Sequence, residues 1–251
     1  MASYVVTGAS RGIGLELVKQ LLQEKSVGQV FALSRSQPAA ALQDLVSKHS
    51  DRLQHVKASV DSTESVEAAA KEVATKLNGS GLDVLVNNAG IQLASPGGTR
   101  TMTAESLTEV LDVNVVGVQR VTAAFLPLLE RGKGKKVINV SSTLGSIAWA
   151  DKFAQGPVQA YKISKAALNM LNAQYALDFA GAGFTFLAVS PGWLKTDLGG
   201  EYADLQPEVG VAELKRIILE AKPAMNGKFV NIHVPGMEEA HGRYDGGEVP
   251  W

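Results

Sequence analysis

Thr7-Gly8-Ala9-Ser10-Arg11-Gly12-Ile13-Gly14 follows the apolar run Tyr4-Val5-Val6 and precedes the amphipathic stretch 15–22, an order that reads as strand, glycine turn and helix. Glycines at 8, 12 and 14 let the backbone turn sharply, approach a ligand without interference from a Cβ, and pack the helix closely on the strand. The free N–H groups at the helix start then face a phosphate. By itself the spacing leaves two readings open, a phosphate cradle and a plain glycine-rich turn.

Outward from this stretch, short apolar runs alternate with longer amphipathic ones. Strands are expected at 4–6, 29–33, 53–57, 84–86, 136–140, 185–189 and 229–232, and helices near 12–24, 38–49, 63–78, 103–130, 158–181 and 208–221. That alternation implies an α/β fold, a parallel sheet of about seven strands covered on both faces. No linker separates a second domain, so residues 1–251 read as one doubly wound unit. Hydrophobic residues make up 45% and charged residues 20%, which suits a globule with a substantial core. No run approaches the roughly 18 to 20 apolar residues of a membrane span. The first strand starts so near residue 1 that no signal peptide is expected, and a cytoplasmic location follows. With no cysteine there is no disulfide framework, thiolate nucleophile or cysteine metal site, and no metal is expected. The net charge is −1, and the one tight basic cluster, Arg131-Gly-Lys133-Gly-Lys135-Lys136, reads as a solvated turn and not as a nucleic-acid patch.

In a doubly wound sheet ligands sit beyond the carboxyl ends of the strands. The second strand ends in Ser34-Arg35-Ser36, with no acid to receive a ribose 2′-hydroxyl. Arg35, with Arg11 in the glycine turn, would suit a 2′-phosphate instead; the alternative is that both are solvated. A hydrogen bond to a charged group is worth roughly 1.5–3 kcal/mol, so Arg35 could supply about a ten- to hundredfold preference for NADP(H). Small and amide side chains after the third strand (Ser59, Val60, Asp61) and the fourth (Asn88, Ala89, Gly90) can flank an adenosine. Asn114 falls inside an apolar helical pattern and is either a structural hydrogen-bond hub or a functional group.

The fifth strand runs into Ser141-Ser142, and after residues 143–160 come Tyr161-Lys162-Ile163-Ser164-Lys165. Tyr161 and Lys165 share one helical face, where a ligand could meet both; the alternative is a surface tyrosine and lysine of an amphipathic helix. A tyrosine hydroxyl, with a reference pKa of about 10, exchanges protons at neutral pH only when a nearby cation favours the phenolate, and Lys165 could supply that cation. Ser142 could hold a carbonyl oxygen beside Tyr161.

In order, T-G-A-S-R-G-I-G (7–14), N-N-A-G (87–90), N-V-x-G (114–117), S-S (141–142), Y-x-x-S-K (161–165) and S-P-G-x-x-x-T (190–196) resemble the short-chain dehydrogenase/reductase family over nearly the whole chain. The closing stretches, Pro191-Gly192-Trp193 through Tyr244-Asp245-Gly246-Gly247 and Pro250-Trp251, look like its C-factor-like carbonyl reductase branch. The resemblance implies a single Rossmann-type domain, NADPH/NADP+ as cofactor, and reversible hydride transfer to a ketone or aldehyde. It makes Tyr161 the general acid and base, Lys165 the residue that lowers its pKa and bonds the nicotinamide ribose, Ser142 the residue that orients the carbonyl, and Asn114 the holder of a relay water. It places Gly8, Ser10, Arg11, Gly12, Ile13 and Gly14 along the pyrophosphate and adenosine side, Asn88, Ala89 and Gly90 along the adenosine and ribose, and Pro191, Gly192, Leu194 and Thr196 at the carboxamide end. A homodimer or homotetramer through the long helices is also implied.

Two features depart from the family pattern. The position after strand three where the family often has aspartate is Ser59, with Asp61 two residues late, and the stretch between Ser142 and Tyr161 is long. Within that stretch Ile147, Trp149 and Phe153 either wall an apolar or aromatic substrate pocket or form a satellite core. Trp193 and Tyr202 are further substrate candidates, and residues 193–226, above all 197–207, form an expected lid region. A ketoreductase step on a secondary metabolite and a non-catalytic NADP-binding sensor or scaffold are the alternative functions.

Overall fold

Apolar runs buried on both sides are the signature of parallel strands, and the runs of this chain pair accordingly. The computed structural model describes residues 1–240 and 242–251. Seven strands, β1 (Ala2–Thr7), β2 (Val27–Ser34), β3 (Leu53–Lys57), β4 (Val84–Asn87), β5 (Lys136–Val140), β6 (Thr185–Ser190) and β7 (Phe229–Asn231), form one sheet in the order β3-β2-β1-β4-β5-β6-β7. Every pairing within it is parallel. The order reverses between β1 and β4, so the crevice for a ligand lies above their carboxyl ends.

Alternate strand residues feed two cores. Tyr4 and Val6 of β1 pack with Leu17, Val18 and Leu21 of α1 (Gly12–Leu21), Leu42 of α2 (Ala40–Lys48), and Val211, Leu214 and Ile218 of α7 (Pro207–Glu220). Val5, on the opposite side, packs with Val66 and Val73 of α3 (Thr63–Lys76) and Val121 and Phe125 of α5 (Gly117–Arg131). Each such side chain contributes roughly 1.5–3 kcal/mol on burial. The helical pattern expected over 103–130 is divided: α4 (Ala104–Leu111) and α5 are separated by a π-helical turn, Asp112–Val116. Arg120 ties that turn down, donating to Asp112 Oδ1 (2.8 Å) and to the Val60 carbonyl (3.3 Å).

At the amino end of the sheet one carboxylate gathers three strands. Asp83 accepts the Ser3 N–H (2.9 Å) ahead of β4, and the N–H groups of Lys133 (2.9 Å) and Gly134 (3.0 Å) in the turn that leads to β5. The basic cluster is that turn, and a Cβ at Gly132 would collide with the Leu82 carbonyl. Its last lysine, Lys136, donates to the carbonyls of Ile218 (3.1 Å) and Leu219 (3.0 Å) near the end of α7. Among the described residues no helix is long and apolar enough to cross a membrane.

Candidate active site

β1 delivers Thr7 to the crevice, where its Oγ1 accepts the N–H groups of Asn88 and Ala89, each at 3.0 Å. Asn88 answers by donating to the Thr7 (2.9 Å) and Gly8 (3.2 Å) carbonyls, so its side chain shapes the glycine turn from below. Gly8 and Gly12 sit at φ +65° and +54°, in the left-handed region. A Cβ at Gly8 would lie 2.8 Å from Ala89 Cα, and one at Gly14 would run into the Gly8 carbonyl. α1 then begins with Arg11 at its N-cap, with no side-chain cap and no acid in its first turn. An uncapped helix start above a glycine cradle fits a dinucleotide pyrophosphate. Ser10 is half-buried in the turn, and Ile13 packs against the α1 core.

The expected 2′-phosphate residues are not alike. Arg11 is paired with Asp197 at 3.0 Å, although both side chains are 73% exposed. Arg35 is exposed just past β2. Ser34 beneath it bonds His55 Nε2 at 2.8 Å, a histidine whose pKa burial lowers. After β3 the Ser59 hydroxyl donates to Asp61 Oδ1, so these two residues form one pair, while Val60 is half-buried beneath α5.

Tyr161 and Lys165 lie one turn apart on the buried face of α6 (Gln159–Asp178). Lys165 donates from Nζ to the Val140 carbonyl at the end of β5 (2.8 Å), and the same Nζ lies 5.4 Å from the Tyr161 ring centroid. Burial dominates both groups. It raises Tyr161 to about 12, with a Ser142 hydrogen bond pulling the value back only in part, and lowers Lys165 to about 8. Burial thus favours the neutral phenol over the phenolate. The Ser142 Oγ also accepts the Leu144 N–H (3.2 Å).

Asn114 lies in the π turn and is 0% exposed. Its Oδ1 accepts the Ile91 N–H, and its Nδ2 donates to the Ile91 carbonyl and to Ser164 Oγ, all at 2.9 Å. Ser164 in turn donates to the Tyr161 carbonyl (2.7 Å). The side chain is a hydrogen-bond hub that fastens the chain after β4 to the Tyr161 turn.

The buried stripe of α6 continues in polar residues that sequence reasoning missed. Asn169 accepts from Ser141 (2.6 Å), and Asn172 accepts from Asn139, which itself accepts from Asn87 (2.9 Å). Spacing of four from Lys165 to Asn169, and of eight from Ser164 to Asn172, was the available signal: polar residues recurring on the face that carries Tyr161.

At the end of β6, Pro191 and Leu194 are buried, and Leu194 is a core side chain bridged to Leu205. A Cβ at Gly192 would press on Leu205 and Tyr244, and Thr196 contacts the space above Gly12. The expected lid region 193–226 divides. Hydrogen bonds from Leu205 N to Trp193 O (3.1 Å) and from Lys195 N to Leu205 O (2.9 Å) close the base of an exposed loop, whereas α7 is anchored in the core. Trp193 donates from its indole to Gly199 O (2.7 Å), and Tyr202 stands 83% exposed. In the long stretch before α6, Ile147 is 75% exposed, Phe153 is buried, and Trp149 is half-buried against a small satellite core of Ala188, Phe229 and Val249. Lys162 secures that stretch from α6 by donating to the Phe153 carbonyl. No group of three or more potential metal-ligating side chains occurs among the described residues.

Residues 3–206 match the family model for short chain dehydrogenases. A short-chain dehydrogenase/reductase of Arthrinium sp, atnB, is 34% identical over 236 residues, 90% of this chain and 86% of the relative. The C-signal protein of Myxococcus xanthus is 34% identical over 171 residues, 68% of this chain and 93% of the relative. Among solved structures, NADPH-bound carbonyl reductase from chicken fatty liver superposes with a TM-score of 0.89 at 33% identity, covering 100% of this chain and 94% of that one.

Proposed function

The chain belongs to the short-chain dehydrogenase/reductase family of nicotinamide-dependent oxidoreductases, and from that premise we propose that it reduces a ketone or aldehyde with NADPH, with alcohol oxidation as the reverse. The observation that carries the reading is Tyr161 on the buried face of α6 with Lys165 one turn on, its Nζ 5.4 Å from the Tyr161 ring, and Ser142 bonded to the phenol, which burial holds in its neutral form. A group with its proton in place at neutral pH suits the donor in carbonyl reduction.

The glycine cradle, Asn88 to Gly90 and Thr196 would hold the dinucleotide, with Lys165 on the nicotinamide ribose and Pro191, Gly192 and the Leu194 backbone at the carboxamide end. Reduced nicotinamide supplies the hydride when bound. Ser142 orients the carbonyl oxygen by a hydrogen bond, and Tyr161 Oη delivers its proton to that oxygen. Below about pH 8 Lys165 is an ammonium beside the phenol and favours the charge that appears there as the proton leaves. Asn114, its amide engaged with Ile91 and Ser164, retains one Oδ1 lone pair to offer a relay water.

Preference for NADPH rests on Arg35 and on the absence of an acid after β2, supported by the NADPH named for the chicken carbonyl reductase. Exposed Ile147, Trp193 and Tyr202 support an apolar or aromatic substrate. The mostly exposed loop 196–204, held at its base by the Trp193–Leu205 and Lys195–Leu205 bonds, is the part of the expected lid nearest the crevice rim. Ile163, Met170 and Leu177, exposed at intervals of seven on α6, support self-association through that helix, which a light-scattering mass decides.

The test is NADPH oxidation across aromatic ketones, α-diketones, quinones and aliphatic aldehydes, with NADH in parallel. Tyr161→Phe should lose on the order of 10² to 10⁴ in rate while keeping NADPH affinity. Turnover retained in that variant overturns the mechanism; NADPH binding without any turnover favours the sensor.

A further inference from the structure

Residues 244–251 make two separate attachments, one to the stretch that follows β6 and one to the stretch that follows Ser142. Tyr244, 1% exposed, donates from its hydroxyl to Asp204 Oδ2 (2.6 Å) and accepts the Trp193 N–H (3.2 Å), so it grips the stretch that follows β6 at both ends of its exposed loop. The segment then runs antiparallel along β7, with Val249 N donating to Phe229 O (2.8 Å). Beyond β7 it reaches the stretch that follows Ser142. There Ser146 Oγ donates to Pro250 O (2.5 Å), Ala148 N donates to Trp251 O (3.0 Å), and the Trp251 indole stacks on Phe229 at 5.7 Å between centroids. Ser146 Oγ also accepts the Trp149 N–H (3.2 Å), which passes the attachment along that wall.

The two stretches fastened in this way carry the exposed apolar side chains of the carboxyl edge, Trp193, Leu198 and Tyr202 on one and Ile147 on the other. Apart from the short 3-10 turn Thr143–Gly145, neither is regular secondary structure, so strand pairing alone does not set their separation. We propose that residues 244–251 act as a strap that sets substrate range, with Tyr244 and Trp251 as positioning residues that hold the two apolar walls at a spacing suited to a large apolar or aromatic ketone. The proposal rests on the reductase reading given above.

The experiment compares wild type with Trp251→Ala, Tyr244→Phe and Trp251→Phe on a bicyclic aromatic ketone and a small aliphatic aldehyde. NADPH affinity is read by fluorescence and amide exchange is read along residues 144–149 and 193–205. A methylene's worth of pocket contact is worth roughly 10- to 200-fold in discrimination, so partial loosening of a wall should raise KM for the ketone about tenfold. The ketone's kcat, the aldehyde's KM and the NADPH affinity should stay within about twofold, the pattern of lost uniform binding. Amide exchange should quicken at Ala148 in Trp251→Ala and at Trp193 in Tyr244→Phe, and Trp251→Phe should keep both the ketone KM and the Ala148 exchange close to wild type. An unchanged ketone-to-aldehyde KM ratio, or equal losses in kcat on both substrates, overturns the strap. Should Trp251→Ala fail to fold, Ser146→Ala, which severs the Pro250 link from the other side, decides on the same readouts. A wild type inert on every carbonyl while binding NADPH overturns the reductase reading instead, and the exchange data then still report whether the walls depend on the segment.

Discussion

Lys165→Met should separate what this lysine does for chemistry from what it costs the fold. The side chain is 4% exposed, and burial lowers its pKa from 10.5 to about 8 even with the Val140 carbonyl accepting from it. That difference corresponds to roughly 3 kcal/mol against the charged form in the folded state. The unfolded chain binds the proton more tightly between about pH 8 and 10.5, so stability rises with pH through that window, and the full penalty is present below it. Methionine removes the charge and its pH dependence but leaves Val140 without this donor, at a cost of about 1–3 kcal/mol. The absolute change at neutral pH is therefore close to cancelling or mildly stabilising, and the slope is the informative quantity. Denaturant unfolding followed by tryptophan fluorescence should show wild type gaining about 1 kcal/mol on the variant between pH 7 and pH 9. Lys136 and Lys162, also lowered by burial, are common to both proteins and cancel. A gap that stays constant, or that widens in the variant's favour as pH rises, refutes the reasoning. Turnover should be lost in the variant whichever is more stable, since charged groups retained against stability are expected at functional sites.

The same lysine predicts that kcat/KM for reduction falls as pH rises through about 8, measured as initial rates at saturating NADPH, while Tyr161, near 12, does not titrate in the working range. Arg35→Asp should move the NADPH-to-NADH ratio of kcat/KM toward NADH by about ten- to a hundredfold; an unchanged ratio shows a merely solvated arginine. Asn114→Ala leaves the Ile91 N–H and carbonyl and the Ser164 hydroxyl short of a partner at a buried site. It should lower stability by about 2–4 kcal/mol, read as a shift in the denaturant midpoint.

The sheet and the helices that flank it were legible because apolar runs and amphipathic periodicity recur along the chain at strand and helix lengths. The π turn was not, since Asp112-Val113-Asn114-Val115-Val116 has ordinary helical spacing and its distortion accompanies the clasp between Asn114 and Ile91, a tertiary contact. In the candidate site, the four-residue step from Tyr161 to Lys165 was visible directly, but their neutral-leaning state is a property of burial, which no spacing encodes. Arg11 read as a free phosphate ligand because its partner, Asp197, lies 186 residues away. Phe153 read equally well as pocket wall or satellite core; only the packed loop places it inside. The closing stretch 244–251 offered glycines, a proline and aromatics without periodicity, so its two attachments could not be anticipated.

The carboxylate of Asp83 has a bearing on how such a protein changes over time. Because it locks the starts of β1, β4 and β5 at the end of the sheet remote from the crevice, strand alignment does not depend on the loops at the other end. Those loops, residues 143–160 among them, can change length without shifting the strand ends that carry Thr7, Ser142 and the segment leading to Thr196. Insertion there can alter what reaches the crevice while leaving the strand ends and the glycine turn in register, so the rim can change without rebuilding the sheet beneath it.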